Sequence, residues 1–238
     1  MKHYIIAFIT FLLVSHSASA QLFSKERVQN NQNFDKKFLS WGYYLGFNSY
    51  DFNFDYNADK PDILVTKTLG FNVGLIGDMR LNDYIDFRIE PGLCITTRTL
   101  NYDPSYFDGM DFNDSDLERE VKSTYIHLPF LVKFSTKRLN NFKPFVVGGV
   151  STAINLSSNE KNPEDNFNGQ FRTVKNMYFY EIGFGIDFYL YYFKFTPSIR
   201  GIFAFNNEIV QDSQANSPWT SNVESMKTRG VFINFTFQ

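Results

Sequence analysis

The chain of 238 residues has little of several things that other folds depend on. It has one cysteine, Cys94, which excludes a disulfide framework and a cysteine-based zinc site. Only 2 tryptophans and 3 histidines are present. Basic residues number 23 against 25 acidic, a net charge of -2, so the positive excess of a nucleic-acid binder is missing and no nucleic-acid partner is expected. No apolar run reaches the 18 or so residues of a membrane-spanning helix. Charged residues at 20% and a mean hydropathy of -0.28 exclude a helical multi-span protein. A glycine-rich phosphate loop is also absent, since Gly148-Gly149 lies in strand-like sequence.

What the chain has in excess is 28 Phe and 14 Tyr, which raise the aromatic share to 18%. Both residue types favour strands and membrane interfaces. At the N-terminus Lys2 precedes an apolar run from Tyr4 to Val14, broken only by Thr10, and Ser17-Ala18-Ser19-Ala20 follows. This reads as a secretory signal peptide over 1–20, too short to span a bilayer. Gln21 rather than cysteine follows the expected cut, so no lipoprotein anchor is indicated. Residues 21–40, polar and Asn/Gln-rich with Lys25, Arg27, Lys36 and Lys37, read as a flexible periplasmic tail.

From Trp41 onward the period is two. Leu69, Phe71, Val73, Leu75 and Met79 form one face, and Gly70, Asn72, Asp78 and Arg80 the other. The same alternation returns near 84–96, 124–135, 178–188, 193–205 and 230–237, and the segments at 41–56 and 143–156 have strand composition. Eight segments of mostly 12 to 16 residues exceed the ~5–6 of a soluble strand and meet the ~9–11 of a membrane-crossing one. The connections alternate as well. Short turns stand at Asn82-Asp83, Leu139-Asn140-Asn141 and Tyr191-Tyr192, and long loops at 57–68, 99–122, 157–174 and 206–227. The expected fold is therefore all-β, an eight-stranded antiparallel transmembrane barrel of the outer membrane over residues 41–238. Lipid should surround it, with both termini on the periplasmic, short-turn side.

Strand parity also predicts the lumen. Asp78, Asp86, Glu90, Glu181 and Asp187 should point inward against Arg80, Arg88, Lys133, Lys194 and Arg200. Five acids against five bases suit a filled barrel, because buried charges must be paired and eight strands leave room for side chains alone. His127, the histidine that remains after signal removal, faces inward and reads as part of this plug, so a triad or histidine metal site is not expected. No catalytic, cofactor or metal residues are assigned. The loop 99–122 carries seven acids against Arg119 and Lys122. Its Asp111-Phe112-Asn113-Asp114-Ser115-Asp116 run has calcium-like oxygen spacing but lacks the Gly and terminal Glu of an EF-hand, and a solvated acidic loop is the preferred reading.

Several stretches resemble one family. Phe34-Asp35-Lys36-Lys37 followed by Gly42-Tyr43-Tyr44-Leu45-Gly46-Phe47-Asn48 is similar to the barrel entry of PorT-type proteins of Bacteroidota, called SprT in gliding members. Asp78-Met79-Arg80-Leu81, Phe87-Arg88-Ile89-Glu90-Pro91-Gly92-Leu93, Leu128-Pro129-Phe130-Leu131-Val132-Lys133 and Lys137-Arg138-Leu139-Asn140-Asn141-Phe142 resemble its middle hairpins. Glu181-Ile182-Gly183-Phe184-Gly185-Ile186-Asp187-Phe188-Tyr189 with Tyr192-Phe193-Lys194-Phe195-Thr196-Pro197-Ser198 is the most specific match. The resemblance implies an outer-membrane component required for protein export by the type IX secretion system, linked to gliding motility in gliding species, and the lack of a plausible active site adds the expectation that it is not an enzyme. It supplies no catalytic residues. Phe34, Lys36, Lys37, Lys137 and Arg138 become candidate contacts for other secretion components. The alternatives are a generic small barrel for anchoring or ligand binding, and an outer-membrane lipid-modifying enzyme, for which no lipid-facing nucleophile and base are found.

Overall fold

The computed structural model describes residues 29–238. The expected signal peptide and residues 21–28 of the expected tail lie outside the described residues. The strands are β1 (Leu39–Tyr56), β2 (Leu64–Lys67), β3 (Leu69–Arg80), β4 (Ile85–Ile89), β5 (Gly92–Asn101), β6 (Glu118–Ser135), β7 (Phe142–Asn155), β8 (Asn176–Tyr189), β9 (Lys194–Ala204) and β10 (Val223–Phe237). All pairings are antiparallel. β1 pairs with β10 on one side, from Tyr43↔Phe237 onward, and with β3 on the other, from Leu39↔Met79 to Ser49↔Leu69. The sheet therefore closes on itself and leaves no edge in the hydrocarbon, where an unpaired backbone group has no water to turn to.

Ten strands make a ring of eight. β4 and β5 are halves of one strand, since both pair with β3 and with β6 in one continuous register. The break falls at Glu90-Pro91, because proline has no N–H to give the ladder. The Pro91 carbonyl still accepts from the Leu75 N–H at 2.9 Å. β2 continues β3 along β5 past an extra residue near Thr68: Lys67↔Arg98 and Phe71↔Ile95 lie four steps apart on one strand and three on the other. This is a one-residue bulge. The connection expected over 57–68 thus contains a strand. The one expected over 99–122 is shorter, because β5 and β6 stay paired out to Asn101↔Glu118, beyond the point where apolar alternation fades.

Facing follows the alternation. Leu69 (74% exposed), Leu75 (63%) and Ile182 (65%) stand on the outer wall, while Asn72, Ile76 and Cys94 are fully buried inside. So broad an apolar belt is the mark of a lipid-facing surface. Glycine admits one bulky ring to the lumen: a Cβ on Gly92 would lie 2.2 Å from the Tyr44 hydroxyl, and one on Gly74 2.6 Å from its ring.

The short turns are 81–84, 136–141 and 190–193, with Asn140 in the left-handed region (φ 55) that asparagine tolerates. At the opposite end the long connections fold over the barrel. Their cover is an aromatic cluster that includes Phe52, Tyr102, Tyr106, Phe107, Phe171 and Trp219.

Phe184 is 58% exposed on β8 within the apolar belt, so Phe184→Arg puts a charge in hydrocarbon and should cost about 2–4 kcal/mol in a urea titration in lipid vesicles. Arg at Lys161, in an exposed loop beyond the belt, should leave the midpoint unchanged.

Candidate functional site in the barrel lumen

Inward parity brings side chains from six strands to one axis, and most of the predicted charges meet there. Arg88 on β4 grips Asp78 on β3 through two bonds, Nε to Oδ1 at 2.6 Å and a terminal nitrogen to Oδ2 at 2.9 Å. A second terminal nitrogen reaches Glu90 at 3.4 Å. Glu90 then meets Arg200 of β9 at 2.8 Å, and Arg200 meets Glu181 of β8 at 2.8 Å. Glu181 lies 2.8 Å from His127 Nε2 of β6, whose same nitrogen is 3.0 Å from the Ser151 hydroxyl. Both Glu181 oxygens are thus within 2.8 Å of a nitrogen, one on Arg200 and one on His127. Towards the short turns Lys133 donates to Asp187 at 2.5 Å, the Thr196 hydroxyl donates to the same carboxylate at 2.7 Å, and Lys194 lies 3.8 Å from Asp78.

Eight of the ten predicted charges thus form this core, all buried: Asp78, Glu90, Glu181 and Asp187 with Arg88, Lys133, Lys194 and Arg200. Arg80 and Asp86 do not join it, a correction to the parity reading. Both stand beside the first short turn, where the barrel opens to water. The long side chain of Arg80 reaches out to Asp83 in that turn, and Asp86 is half-buried at the mouth. Parity gives a direction but not a depth, and a charge at a strand end is drawn to solvent.

A second buried centre was not predicted. Arg98 on β5 is fully buried, donates to Thr228 at 2.8 Å and Ser123 at 2.7 Å, and lies flat on Phe52 with 3.7 Å between guanidinium and ring centre. Its acid is Glu208, 3.9 Å away, which also accepts from the Tyr125 hydroxyl at 2.7 Å and from Thr228. Extending the parity of Cys94 and Thr96 by one step would have found Arg98. Glu208 comes from the 205–222 connection, where no period exists to read. Between the two centres Asn48, Asn72 and Asn234 bond in a row, with Asn48 giving to Asn72 at 2.6 Å and Asn72 to Asn234 at 3.2 Å.

Both mouths are covered. On the long-loop side the acidic connection is structured: Asp103 caps a short helical turn at Pro104–Phe107, and Asp116 accepts from the Asn113 N–H and pairs with Arg119. The Asn113 hydrogen bond and the nearby guanidinium hold the Asp116 carboxyl below the usual carboxylate range. Among the described residues no three His, Cys, Asp or Glu side chains converge as a metal site would need.

On the short-turn side the expected flexible tail is instead docked over residues 30–37. Asn30 donates its N–H to Asn141 Oδ1 at 2.9 Å and its amide to the Tyr189 carbonyl at 3.1 Å. Asn31 donates to the Leu190 carbonyl at 3.0 Å. Asp35 accepts from the Tyr189 hydroxyl at 2.5 Å and lies 3.5 Å from Arg138. Phe34 sits edge-on to Tyr189 beneath Lys194. Of the candidate contact residues, Phe34 and Arg138 are therefore occupied within the chain, whereas Lys36, Lys37 and Lys137 are exposed. A void of about 30 Å³ remains under this segment, room for little more than a water.

A closed eight-stranded ring with an apolar outer belt and a filled polar lumen defines a small transmembrane barrel of the outer membrane. The sequence matches the outer membrane protein beta-barrel domain family over residues 20–210, and the chain belongs to that family. It is an outer-membrane protein, with lipid against its outer wall. A search of curated proteins returns no match. Among solved structures the chain is similar to the outer membrane protein OprG of Pseudomonas aeruginosa (15% identity, TM-score 0.43, covering 84% of this chain and 93% of that one). It is also similar to Neisserial surface protein A (8%, 0.43, 84% and 98%). A third is Ail, the attachment invasion locus protein of Yersinia pestis (14%, 0.38, 83% and 96%).

Two outcomes follow from the lumen. Reconstituted protein should give no steady nanosiemens conductance in planar bilayers, because both charged centres and both covers stand in series. Asp187→Ala should destabilise the barrel by about 3–5 kcal/mol by stranding Lys133, whereas Lys133→Met with Asp187→Leu should cost much less. Urea titrations of the two variants in lipid vesicles measure the difference.

Proposed function

We propose that this barrel is a structural or assembly component of protein export by the type IX secretion system and carries out no chemistry of its own. The support for the particular system is the ordered resemblance from Phe34-Asp35-Lys36-Lys37 to Tyr192-Phe193-Lys194-Phe195, which spans nearly all of the chain after residue 33. The observation that carries the mode of action is the filled lumen. A barrel with buried ion pairs along its axis and covers at both mouths acts through its surfaces. His127, the base a hydrolase would need, is 1% exposed and held between Glu181 and Ser151, out of reach of a lipid substrate.

The periplasmic face offers such a surface. Lys36, Lys37 and Lys137 are exposed at that end, as are Tyr191 and Tyr192 of the 190–193 turn at 71% and 87%. Other secretion components are the proposed partners of this face. A second reading, a barrel that anchors or binds a ligand at the cell surface, draws on the folded cover of the long loops around Trp219.

The two separate in one experiment. A deletion strain should lose type IX cargo from its culture supernatant, and in a gliding species it should also lose gliding. Complementation with Lys36→Glu/Lys37→Glu should restore outer-membrane barrel levels but not secretion. Normal secretion in the deletion strain would end this reading in favour of a surface role.

A further inference from the structure

The segment across the short-turn mouth is held in an unusual way for a strand leader. It pairs with no strand. It lies in a recess between the 136–141 and 190–193 turns, and its hydrogen bonds there are of a kind that recognises peptide. Asn141 Oδ1 accepts a backbone N–H, the carbonyls of Tyr189 and Leu190 accept side-chain amides, and the Arg138 guanidinium donates to the backbone carbonyls of Asn30 and Asn31. The same Arg138 stacks on the Tyr189 ring, 3.8 Å from its centre, and faces the Asp35 carboxylate. Beside it Phe34 fills a notch closed by the Tyr189 ring at 6.2 Å and the Lys194 ammonium at 4.7 Å.

Two walls of the recess belong to the ladder, the rest to the two turns, and the occupant lies outside the ladder altogether. Tyr189 and Lys194 are paired strand residues, held by the ladder, with the Asp187 carboxylate close to the Lys194 ammonium. Phe34 is only half-buried, the Asp35 carboxylate keeps 31% of its exposure, and partly exposed ion pairs of this kind contribute little. Few buried apolar contacts and many solvent-edge hydrogen bonds describe a segment that opens locally while the barrel stays folded.

We propose that this recess is a peptide-docking site, occupied in cis by residues 30–37 and open in trans to a periplasmic segment of the same chemistry. The partner is a peptide that takes up the shape of residues 30–37, a turn with Asn31 in the left-handed region (φ 48) running into a 3-10 turn at Phe34–Lys36, with two amide side chains followed, three to four residues on, by an adjacent aromatic and acidic residue, as in Asn30-Asn31 and Phe34-Asp35. Cis occupancy makes the site self-blocked: the apparent affinity for a trans peptide is the intrinsic affinity reduced by the fraction of molecules whose own segment is out. The site does not depend on the secretion reading and would serve any periplasmic partner with such a segment.

The test uses the refolded full chain in detergent and a fluorescent synthetic peptide of residues 29–37, followed by anisotropy. Phe34→Ala/Asp35→Ala in the barrel weakens the resident segment and should tighten peptide binding by about tenfold or more over the unaltered chain. Arg138→Ala in that background should abolish binding. A peptide with alanine at positions 34 and 35 should not bind to any of these proteins, a control that involves no change to the barrel. Heat-modifiable migration on gels confirms that each barrel is folded. Equal affinity of the unaltered and double-variant barrels, no binding to either, or equal binding of the substituted peptide would each overturn the proposal.

Discussion

Closure of one hydrogen-bonded ladder is the constraint on which the rest of this molecule depends. A segment in hydrocarbon must satisfy every backbone N–H and C=O within the protein. Here β1 meets β10 on one side and β3 on the other, and the imperfections of the ring are local, one of them a one-residue shift at the outer end of β1, where Asp55 pairs with Ser225 and Tyr56 with Val223. Pro91 interrupts the strand between β4 and β5 without shifting its register, and the bulge at Thr68 shifts register only where β3 continues outward as β2. Closure with eight strands then sets the width of the lumen. It leaves space for side chains and none for a channel.

A narrow lumen turns inward parity into an electrostatic problem. Every second residue of each strand is removed from water, and several of them are charged. Removing a charge from water costs several kcal/mol unless a partner compensates. The chain meets this with alternation of sign along the axis: Lys194, Asp78, Arg88, Glu90, Arg200, Glu181 and His127 follow one another, and Lys133 with Asp187 stands beside them. Arg98 and Glu208 repeat the solution nearer the long loops. Such pairs are weak sources of net stability. Their clearer effect is on uniqueness, since a strand shifted by one residue would turn these charges towards lipid and the outer apolar row into the lumen.

Both ends are finished by segments outside the ladder, in different ways. The long connections build a small aromatic core of their own over the barrel, with Trp219 and Phe107 edge to face at 5.4 Å. At the other mouth an eight-residue segment lies across the short turns on polar contacts. The first is stabilised by burial of large apolar area. The second is held mainly by polar groups at the solvent edge, with Phe34 against the Tyr189 ring, and among the described residues it is the segment to which we assign exchange with another chain.

Much of this architecture is legible in the residues themselves. Period two, strand length and alternating loop length lead to an eight-stranded outer-membrane barrel, and parity leads to eight of the ten luminal charges, because both follow from local geometry that each residue reports for itself. The depth of a residue is different. Arg80 and Asp86 have the parity of Asp78 and Arg88, yet they lie where the barrel meets water, and only the end of the ladder decides that. Glu208 enters the lumen from a connection with no period, so its pairing with Arg98 depends on how the 205–222 segment folds over the rim. The docking of Phe34 and Asp35 likewise needs Tyr189 and Arg138, more than a hundred residues away in the chain, to be brought to one recess by strands β6, β7 and β8. What the sequence determined by itself is periodic and local. What the tertiary structure decided is depth, loop packing and the partners of aperiodic segments, because these depend on distances across the closed ring that no stretch of chain contains.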